Sequence, residues 1–600
     1  MCGIYLTNIP FSEKEVIDKL ESIKYRGPDN LGVQKVNKVT LGHLRLSILD
    51  LEERSNQPFT YKNLHIVFNG EIYNYLPIRE ELIALGYEFK TTSDTEVLLI
   101  GYKVWGKGIL DKINGMFAFC IYDSDTNKIF SVRDRLGVKP FYYYWKEGTL
   151  EVCSQLRPLI KGRGLNEEAV SMYLDCRYVP SPYSIIQDVY KLPPGNYMEV
   201  DLNTNTLEIQ EFWNLKKVST QNISYQEAKN ELHNLLKDAV NIRLQSDVPI
   251  GSFLSGGIDS ALVTSIANEV SDSQINTFSI GFENPNYDES KIAKQFSDII
   301  NTNHTETICK AKDVIDLIPK LVEVYDEPFA DSSALPSLLL NSVTKAHVTV
   351  ALSGDGGDES FFGYNFYQWL NFFNLFFKIP YVIRKNIPSG LLSRLLSKSK
   401  DSLKNILNYK SVYDFTMGYF ISFDPIVLKR KLNWVSNYDY LKKLSNNYLQ
   451  RAADLNIKLW LENDSNVKVD RASMAYSVEV RSPFLDYRVI EFARNLPIQY
   501  RFNKGVRKRL LRDILKEYIP EEVFDQPKSG FSIPMGDWIR TELKDEFVSV
   551  LNDDFLNKLP NFNVNKFKKQ LQEHLDGEAD NSTNIWKLYV LARWYKEFNF

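Results

Sequence analysis

Hydrophobic and polar positions follow two different patterns along the chain. Up to about residue 210 the apolar residues form short alternating or β-rich runs bounded by Gly, Asn and Asp, as in LHIVFNGEIYN, GMFAFCIYDSDTNKIFSVRD, PFYYYW and LEVCSQ. Runs of this kind predict short strands joined by turns, with few helices among them. The first part of the chain is therefore predicted to be an α+β fold of stacked antiparallel sheets.

The pattern changes near residue 225. The stretch SYQEAKNELHNLLKDAVNIRL is amphipathic with helical spacing, and beyond it the apolar strands VPIGSFLSGG, INTFSIGF and HVTVALSGDGG alternate with helices. This alternation predicts an α/β parallel sheet with helices on its faces, followed by a helical C-terminal region. The polar stretch DLNTNTLEIQEFWNLKKVSTQN separates the two patterns. We therefore predict one domain over residues 1–210 and a second over residues 225–600.

The composition favours a multidomain protein that acts on small molecules. The 600 residues are too many for one hydrophobic core, and 72 basic against 76 acidic residues give a net charge of −4 without a signature of nucleic-acid binding. No apolar run reaches the roughly 18 residues of a membrane span. The stretch NFFNLFFKIPYVI contains Lys and Pro, which favours a buried helix or a docking surface.

The number and spacing of the cysteines indicate the redox state of the compartment in which the protein works. Five cysteines without CxxC spacing favour a reducing cytoplasm over a disulfide framework or a zinc site. The sequence does not set the oligomeric state, and a homodimer stays open.

The chain begins MCGIYL, with a cysteine directly after the initiator methionine. A lone cysteine is usually a small buried hydrophobe. Once Met1 is removed, however, the α-amino group of Cys2, with an ordinary pKa of about 7.7–8.0, can act as general base for its own thiol. The cysteine is therefore a candidate nucleophile as well as a candidate core residue.

Further candidates for such a site follow along the chain. Arg45 could hold a substrate carboxylate, the Asn69 amide and the Gly70 N–H could stabilise an oxyanion, and Asp94 could pair with a substrate ammonium. Each has an ordinary alternative, since an arginine can form a surface ion pair, Asn-Gly is a hairpin signal and an aspartate can cap a helix.

Together with RGPD (26–29) and RDRLGVKPFYY from Arg133, these motifs resemble the glutaminase domain of the class II, N-terminal-nucleophile amidotransferases over about residues 1–200. The resemblance implies that Cys2 attacks the side-chain amide of glutamine, forms a thioester and releases ammonia. It also implies glutamine contacts from Arg45, Leu46, Ser47, Ile48, Leu49, Asn69, Gly70, Glu71 and Asp94.

The second constellation is VPIGSFLSGGIDSA, an apolar strand that runs into Ser255–Ser260 and then a helix. Glycines let backbone amides close around an anion, and a helix N-terminus favours negative charge, so this loop is a candidate pyrophosphate site. A tight strand-to-helix turn would explain the glycines but not the whole SGGIDS string. That string resembles the loop of the ATP pyrophosphatases, which implies adenylation of a substrate.

Over its full length the chain resembles the glutamine-hydrolysing asparagine synthetases, through DEPFADSSALP, LSGDGGDE, VDRASMAYSVEVRSPFLD, RKRLLRD and QPKSGFSIPMGDW. The resemblance implies the co-substrate ATP, Mg²⁺ held by Asp259 and Asp358, and catalytic roles for Asp355 and Lys508. The implied ATP contacts are Leu254, Ser255, Gly256, Gly257, Asp259, Ser260, Ile280, Ser353 and Gly354. As alternatives, Lys508 could lie on a solvated basic helix, Asp355 could cap a turn, and Arg471 and Arg481 could form structural ion pairs.

Two positions depart from the pattern of well-studied members. Asp355 stands where they have Glu, and Phe362 stands where they have Gly. The string SGDGGDE resembles a branch associated with bacterial surface glycans, in which sugar acids are thought to be amidated.

The leading hypothesis is glutamine-dependent asparagine synthesis from aspartate and ATP, through β-aspartyl-AMP. The alternative is the same mechanism acting on a sugar (uronic) acid. A catalytically inactive binding protein is disfavoured because the predicted residues are all present, and a relative of β-lactam synthetase is disfavoured because Cys2 is retained.

Overall fold

The computed structural model describes residues 2–387, 409–421, 433–526, 533–559 and 562–600. Within these ranges seventeen strands form three sheets. They are β1 Gly3–Thr7, β2 Asn30–Val36, β3 Val39–Arg45, β4 Phe59–Tyr61, β5 Leu64–Ile72, β6 Gly115–Asp123, β7 Lys128–Arg133, β8 Tyr142–Lys146, β9 Thr149–Cys153, β10 Val189–Lys191, β11 Asn196–Asp201, β12 Thr206–Glu211, β13 Ile250–Phe253, β14 Asn276–Phe282, β15 Asn303–Cys309, β16 Val350–Leu352 and β17 Glu479–Arg481.

Helices cover the sheets and make up most of the C-terminal region. The α-helices in the described residues are Glu13–Glu21, Tyr75–Ala84, Asp94–Trp105, Ile109–Lys112, Arg157–Ile160, Glu167–Cys176, Tyr225–Asn241, Ile258–Val270, Ser290–Ile300, Ala311–Tyr325, Ala334–Thr344, Gly357–Ser360, Asn365–Phe377, Tyr381–Arg384, Val412–Ile421, Tyr448–Leu455, Asn466–Met474, Tyr487–Asn495, Ile498–Arg501, Arg509–Leu515, Glu521–Phe524, Met535–Arg540, Lys544–Val550, Asp553–Leu556, Val564–Leu575 and Ser582–Phe598. A π-helical segment, Asn456–Ser465, joins two of them, and 3₁₀ turns lie at Lys24–Arg26, Glu53–Ser55, Gly106–Gly108, Asn433–Lys443 and Pro483–Leu485.

Two six-stranded antiparallel sheets form the N-terminal part, in the orders β10-β8-β9-β1-β3-β2 and β12-β11-β7-β6-β5-β4. Apolar side chains such as Ile4, Leu6, Val67 and Cys120 pack between the sheets. Helices Tyr75–Ala84 and Asp94–Trp105 cover the outer face of the second sheet. The predicted stacked antiparallel sheets are thus confirmed, with apolar side chains packed between the two sheets and helices on the outer face of the second.

The third sheet is parallel, with the order β15-β14-β13-β16-β17. Its central strands β13 and β16 are neighbours in the register Ile250↔Val350, so the loops that follow them emerge at the same edge. These loops are the predicted SGGIDS and SGDGG motifs. The predicted α/β parallel sheet with a helical C-terminal region is therefore confirmed, and its topology brings the two motifs together.

The amphipathic stretch that begins the second pattern is the helix Tyr225–Asn241. Ser224 accepts a hydrogen bond from the N–H of Glu227, whose carboxylate accepts one from the Ser224 N–H, so a capping box fixes its start. The polar segment before it contacts the helical region, where the Val218 N–H donates to the Leu444 carbonyl over 2.8 Å.

Two predictions concern the helical region and the cysteines. The stretch NFFNLFFKIPYVI lies on helices Asn365–Phe377 and Tyr381–Arg384, and no described helix is long and apolar enough to cross a membrane. All five cysteines are free and buried. Residues 527–532 of the QPKSGFSIPMGDW motif lie outside the described residues.

Candidate active sites

The predicted nucleophile lies at the start of β1, in a buried position beside β5. The backbone nitrogen of Cys2, which is the α-amine once Met1 is removed, donates to the Asn69 side-chain oxygen over 2.9 Å. The Cys2 Sγ atom lies 4.0 Å from the Leu46 carbonyl oxygen, and burial raises the pKa of the thiol. Because a buried thiol is mostly protonated, it needs a neighbouring base to become a nucleophile.

The amide of Asn69 has one group engaged and one group free. Its oxygen accepts from Cys2, whereas its buried Nδ2 atom has no hydrogen-bond partner among the described residues. A buried unsatisfied donor costs about 1–3 kcal/mol, so such a group usually has a function. Its position beside Cys2 suits a donor to a negatively charged oxygen that forms during a reaction.

The next residue, Gly70, must be a glycine for two reasons. Its φ angle is +152°, and a Cβ atom there would clash with the Met116 carbonyl oxygen on β6. A larger residue would push β5 away from β6 and displace Asn69. The two predicted oxyanion-hole residues are therefore positioned by the pairing of these strands.

Arg45 lies at the end of β3, and both Nη atoms of its guanidinium are engaged with the following loop. The Nη1 atom donates to Glu52 O (2.9 Å) and Asn56 Oδ1 (2.7 Å), and Nη2 donates to Leu49 O (3.3 Å) and Asp50 O. These bonds shape the loop that the resemblance assigns to glutamine binding. A substrate carboxylate would have to replace some of these acceptors, and the predicted clamp role of Arg45 stays a prediction.

The loop Leu46–Leu49 is held from both parts of the chain. The Ser47 N–H donates to Asp29 Oδ2 over 2.8 Å, and the Ile48 carbonyl accepts from the Asp247 N–H over 2.9 Å. Asp29 belongs to the RGPD motif, whereas Asp247 precedes the strand of the nucleotide loop. The loop predicted to bind glutamine is thus anchored to the second part of the chain.

Asp94 lies at the start of helix Asp94–Trp105 but does not cap it. The cap is Ser93, whose hydroxyl oxygen accepts from the Thr95 N–H, while Asp94 Oδ2 accepts from the Ile72 N–H over 2.9 Å. The alternative in which Asp94 caps the helix is therefore wrong. Burial raises the pKa of Asp94 to about 6, so this carboxyl group is poised to ionise near neutral pH.

Glu71 lies on β5 and contacts a buried arginine from the third sheet. The Arg481 Nη2 atom lies 3.5 Å from Glu71 Oε1, and its Nε atom lies 2.6 Å from Glu479 Oε1. Burial, together with the negative charge of Glu479, raises the pKa of Glu71 well above its ordinary value. Strand β17 therefore contributes charged side chains directly to the predicted glutamine site. Arg481 forms an ion pair with Glu479, in agreement with the alternative in which its role is structural.

Arg26 of the RGPD motif links the nucleophile to the second part of the chain. Its Nε atom donates to the Cys2 carbonyl over 3.1 Å, and its two Nη atoms donate to the Asp470 carboxylate over 2.9 and 3.1 Å. Arg471 pairs with the same carboxylate over 2.6 Å, which agrees with a structural ion pair. Arg26 is completely buried, so loss of Asp470 would leave its charge uncompensated beside Cys2.

The predicted ATP residues surround a cavity of about 590 Å³ at the carboxyl edge of the parallel sheet. Such an edge is where open α/β folds bind nucleotides. The predicted residues that line it are Leu254, Ser255, Gly257, Asp259, Ser260, Ile280, Ser353 and Gly354. Gly256 is not among the lining residues, although it lies within the same loop.

Asp259 and Asp358 come together around one ammonium group. The Lys508 Nζ atom lies 2.5 Å from Asp259 Oδ2 and also contacts Asp358 Oδ1. Gly357 permits this close approach, because a Cβ atom there would lie 2.5 Å from the Asp259 Cγ atom. Lys508 is buried and paired, so the alternative in which it lies on a solvated helix is wrong.

These carboxylates fit a metal that also binds substrate. Two oxygen-donor side chains that converge on one point suit Mg²⁺, which usually combines one or two carboxylates with phosphate oxygens. No group of three or more His, Cys, Asp or Glu side chains that could hold a metal occurs within the ranges that the structure describes.

Asp355 lies in the turn after β16 and lines two cavities. One is the 590 Å³ cavity, and the other is a small cavity of about 20 Å³ that Lys139 and Asp470 also line. The Ser353 hydroxyl donates to the Asp355 carboxylate, and the Ser482 hydroxyl donates to its carbonyl. The Asp355 side chain thus lies between the nucleotide cavity and the Cys2 side of the molecule.

Phe362, the second departure from the family pattern, has a conformation that favours glycine. Its φ angle is +57°, yet its side chain is completely buried. The ring packs with its centroid 4.5 Å from the Arg501 guanidinium carbon and 5.0 Å from the Tyr367 ring centroid. Packing of the ring therefore offsets the backbone strain beside the predicted catalytic residues.

Four further residues line the large cavity but were not predicted from the sequence: Arg177, Asp331, Trp460 and Lys468. Asp331 belongs to the quoted DEPFADSSALP motif, which was a usable signal. Lys468 directly precedes the quoted VDRASMAYSVEVRSPFLD motif, whereas Arg177 and Trp460 lie on segments without a quoted motif. Only the fold brings these residues together.

The two sites define a class of protein. A buried cysteine at position 2 beside an amide donor, together with a cavity lined by the SGGIDS loop at the edge of a parallel sheet, fits an ATP-consuming amidotransferase. Family models match both parts: a glutamine amidotransferase domain over residues 1–213 and asparagine synthase over residues 231–596.

Curated relatives extend the match over nearly the whole chain. The chain is 32% identical to Asparagine synthetase [glutamine-hydrolyzing] 1 of Bacillus subtilis, over 97% of this chain and 94% of that protein. It is 36% identical to Putative asparagine synthetase [glutamine-hydrolyzing] 2 of Methanocaldococcus jannaschii, over 79% and 98%. A more distant relative, at 26% identity over 88% and 86%, is Amidase chyE of Penicillium rubens.

The chain belongs to the asparagine synthase family. It is an ATP-dependent ligase that acts on small molecules, with glutamine as the nitrogen donor.

Proposed function

We propose that the chain makes asparagine from aspartate, with glutamine as nitrogen donor and ATP as the activating co-substrate. Similarity to glutamine-hydrolysing asparagine synthetases over both parts of the chain supports the reaction. The observation that carries the proposal is the Asn69 amide, whose oxygen accepts from the Cys2 amine and whose Nδ2 donor is free beside the thiol. We further propose that residues 1–210 and 225–600 act as the glutaminase and synthetase domains, in the cytoplasm.

The glutaminase reaction begins with proton transfer from the Cys2 thiol to its own α-amine. The thiolate adds to the side-chain amide carbon of glutamine, and the Asn69 Nδ2 and Gly70 N–H groups donate to the oxyanion. The intermediate collapses to a thioester and releases ammonia, which leaves with the proton from the amine. Water then hydrolyses the thioester to glutamate and frees the thiol. Asp94 binds the ammonium of glutamine throughout.

The synthetase reaction takes place in the 590 Å³ cavity. A β-carboxylate oxygen of aspartate attacks the α-phosphorus of ATP, pyrophosphate leaves, and β-aspartyl-AMP forms. Lys508 stabilises the charge at the α-phosphate, and Asp259 with Asp358 would hold Mg²⁺, which neutralises pyrophosphate. Ammonia then attacks the acyl carbon, loses a proton to a nearby base such as Asp355, and expels AMP to give asparagine.

A second acceptor class remains a candidate because of two observations. Asp355 replaces the glutamate of well-studied members, and a distant relative carries the name amidase rather than synthetase. A sugar (uronic) acid would use the same two half-reactions and the same residues. The difference would lie in the part of the cavity beyond Asp355.

A steady-state assay distinguishes the two acceptors. AMP formation is measured with glutamine and ATP, against aspartate and against a panel of free and nucleotide-linked uronic acids. We expect AMP and asparagine in equal amounts with aspartate, and background AMP with the sugar acids. Background AMP with aspartate together with turnover of a uronic acid would refute the proposed acceptor and leave the mechanism intact.

A further inference from the structure

The large cavity extends beyond the predicted nucleotide residues to a second group of polar side chains. Arg177, Asp331, Trp460 and Lys468 line this end, and Asp355 lies along the same cavity. None of the four has a role in the steps described above. Because the SGGIDS and SGDGG loops lie at the sheet edge, the wall that these four residues form is available to a second substrate, the acceptor.

Arg177 reaches the cavity from the N-terminal part of the chain. It ends the helix Glu167–Cys176 in a left-handed conformation, with a φ angle of +73°. Its carbonyl accepts from the Ala330 N–H over 2.9 Å, which fixes the backbone against the loop that contains Asp331. The Arg177 guanidinium carbon lies 5.4 Å from the Trp460 ring centroid. The backbone and the indole thus hold the guanidinium at the cavity wall.

The guanidinium of Arg177 has no carboxylate or carbonyl partner among the described residues. No hydrogen bond or ion pair of its side chain occurs there, although the side chain is half-buried. A guanidinium carries five N–H donors in a planar fork that matches a carboxylate. Unused donors that line a cavity are therefore a receptor for an anionic group.

Two acidic side chains, Asp331 and Asp464, lie close enough to Arg177 to feel its charge. Lys468 Nζ lies 2.9 Å from Asp331 Oδ2, so these two groups neutralise each other. Asp464 is completely buried beside them, and burial together with the charge of Asp331 raises the pKa of Asp464 well above its ordinary value. Because Lys468 engages Asp331, the Arg177 guanidinium is left without an ion-pair partner among the described residues.

The helix that carries these groups is itself irregular. Trp460 and Asp464 lie on the π-helical segment Asn456–Ser465, which continues directly into the helix that carries Lys468. Segments of this kind are rare and are found most often at functional sites, where they reorient side chains. The irregular helix places Trp460 against Arg177 and Lys468 against Asp331.

We propose that Arg177 determines acceptor specificity by binding the α-carboxylate of aspartate, while the β-carboxylate is activated near Asp355. This inference rests on the proposed function, because it assumes an acceptor with a second carboxylate. The Trp460 indole holds the guanidinium in place for a bidentate contact. An acceptor that lacks the second carboxylate loses this contact and binds more weakly.

The test compares two acceptors that differ by that one group. Aspartate has both carboxylates and the ammonium, whereas 3-aminopropanoate has the reacting carboxylate and the ammonium alone. Arg177→Ala should raise the KM for aspartate by roughly 10- to 100-fold, the range expected for a lost charge-assisted hydrogen-bonded pair. The KM for 3-aminopropanoate and for ATP should stay within twofold, and Arg177→Lys should restore part of the aspartate affinity.

Two controls separate this role from a structural one. Lys161→Ala removes an exposed positive charge elsewhere in the N-terminal part and should leave both KM values unchanged. The melting temperature of each variant reports on folding, and if Arg177→Ala is unstable, Arg177→Lys carries the comparison. An equal loss with both acceptors, or a raised KM for ATP, would overturn the role of Arg177. Failure of the unmodified enzyme to form AMP with aspartate would overturn the proposed acceptor and this role together.

Discussion

The buried, unpaired Nδ2 donor of Asn69 leads to a sharp prediction for Asn69→Asp. The aspartate side chain keeps an oxygen that can accept from the Cys2 amine, but it replaces the free N–H donor with an oxygen. Removal of one donor from an oxyanion hole costs about 10²–10³ in kcat, or roughly 2.7–4 kcal/mol of transition-state stabilisation. We expect a glutaminase kcat lower by that factor.

The location of the effect distinguishes catalysis from structure. Synthesis from added ammonium should change by less than twofold in Asn69→Asp, because the large cavity does not include residue 69. Asn69→Ala, which removes the acceptor for the Cys2 amine as well, should lower the glutaminase kcat at least as far. Glutamine hydrolysis and ammonium-dependent AMP formation are measured on the same preparations. Near-normal glutaminase activity of Asn69→Asp would refute the assignment of the free donor to the oxyanion.

Three further predictions concern the carboxyls of the two sites and the strained phenylalanine. Asp355→Asn should lower the rate of ammonium-dependent AMP formation by roughly 10²–10⁴, the usual scale for a positioned acid or base, and leave glutaminase activity nearly intact. A normal rate together with a lowered melting temperature would show that Asp355 has a structural role instead. The kcat/KM for glutamine should fall as the pH drops through about 6, because burial raises the pKa of Asp94 to about 6 and the protonated carboxyl group cannot pair with the substrate ammonium. An Asp94→Asn enzyme with the same pH dependence of kcat/KM as the unmodified enzyme would contradict this. Phe362→Gly should lower the free energy of unfolding, measured by urea titration, by roughly 2–4 kcal/mol, because loss of the buried ring outweighs relief of the positive φ angle. A Phe362→Gly variant that is more stable than the unmodified protein would show that the backbone strain dominates.

The local patterns of apolar and polar residues predicted most of the fold. The alternating runs around LHIVFNGEIYN and GMFAFCIYDSDTNKIFSVRD became β5, β6 and β7, and the change of period near residue 225 marked the parallel sheet. Strand β17 gave no such signal, because its Glu479 and Arg481 side chains are buried as an ion pair rather than as apolar residues. Charged residues that neutralise each other inside a protein cannot be told from surface residues in a sequence pattern.

The sites were predictable where their residues lie within short motifs. Lys508, Asp259 and Asp358 each belong to a motif, and the structure brings all three into contact. Their roles toward Mg²⁺ and the α-phosphate stay predictions. The link between Arg26 and Asp470 spans 444 positions, and no local feature connects these residues. Arg177 is a similar case, since its position at the cavity depends on a helix end and on Trp460, which the fold alone brings together.

The central claim is that nitrogen passes from glutamine to the acceptor through Cys2, within one chain that has two sites. It is tested most directly with glutamine labelled with ¹⁵N in its side-chain amide, using the unmodified enzyme and Cys2→Ala, with ATP and aspartate. We predict labelled asparagine from the unmodified enzyme and none from Cys2→Ala, which should still make asparagine from added ammonium at a similar rate. Transfer of the label by Cys2→Ala without added ammonium would contradict the account.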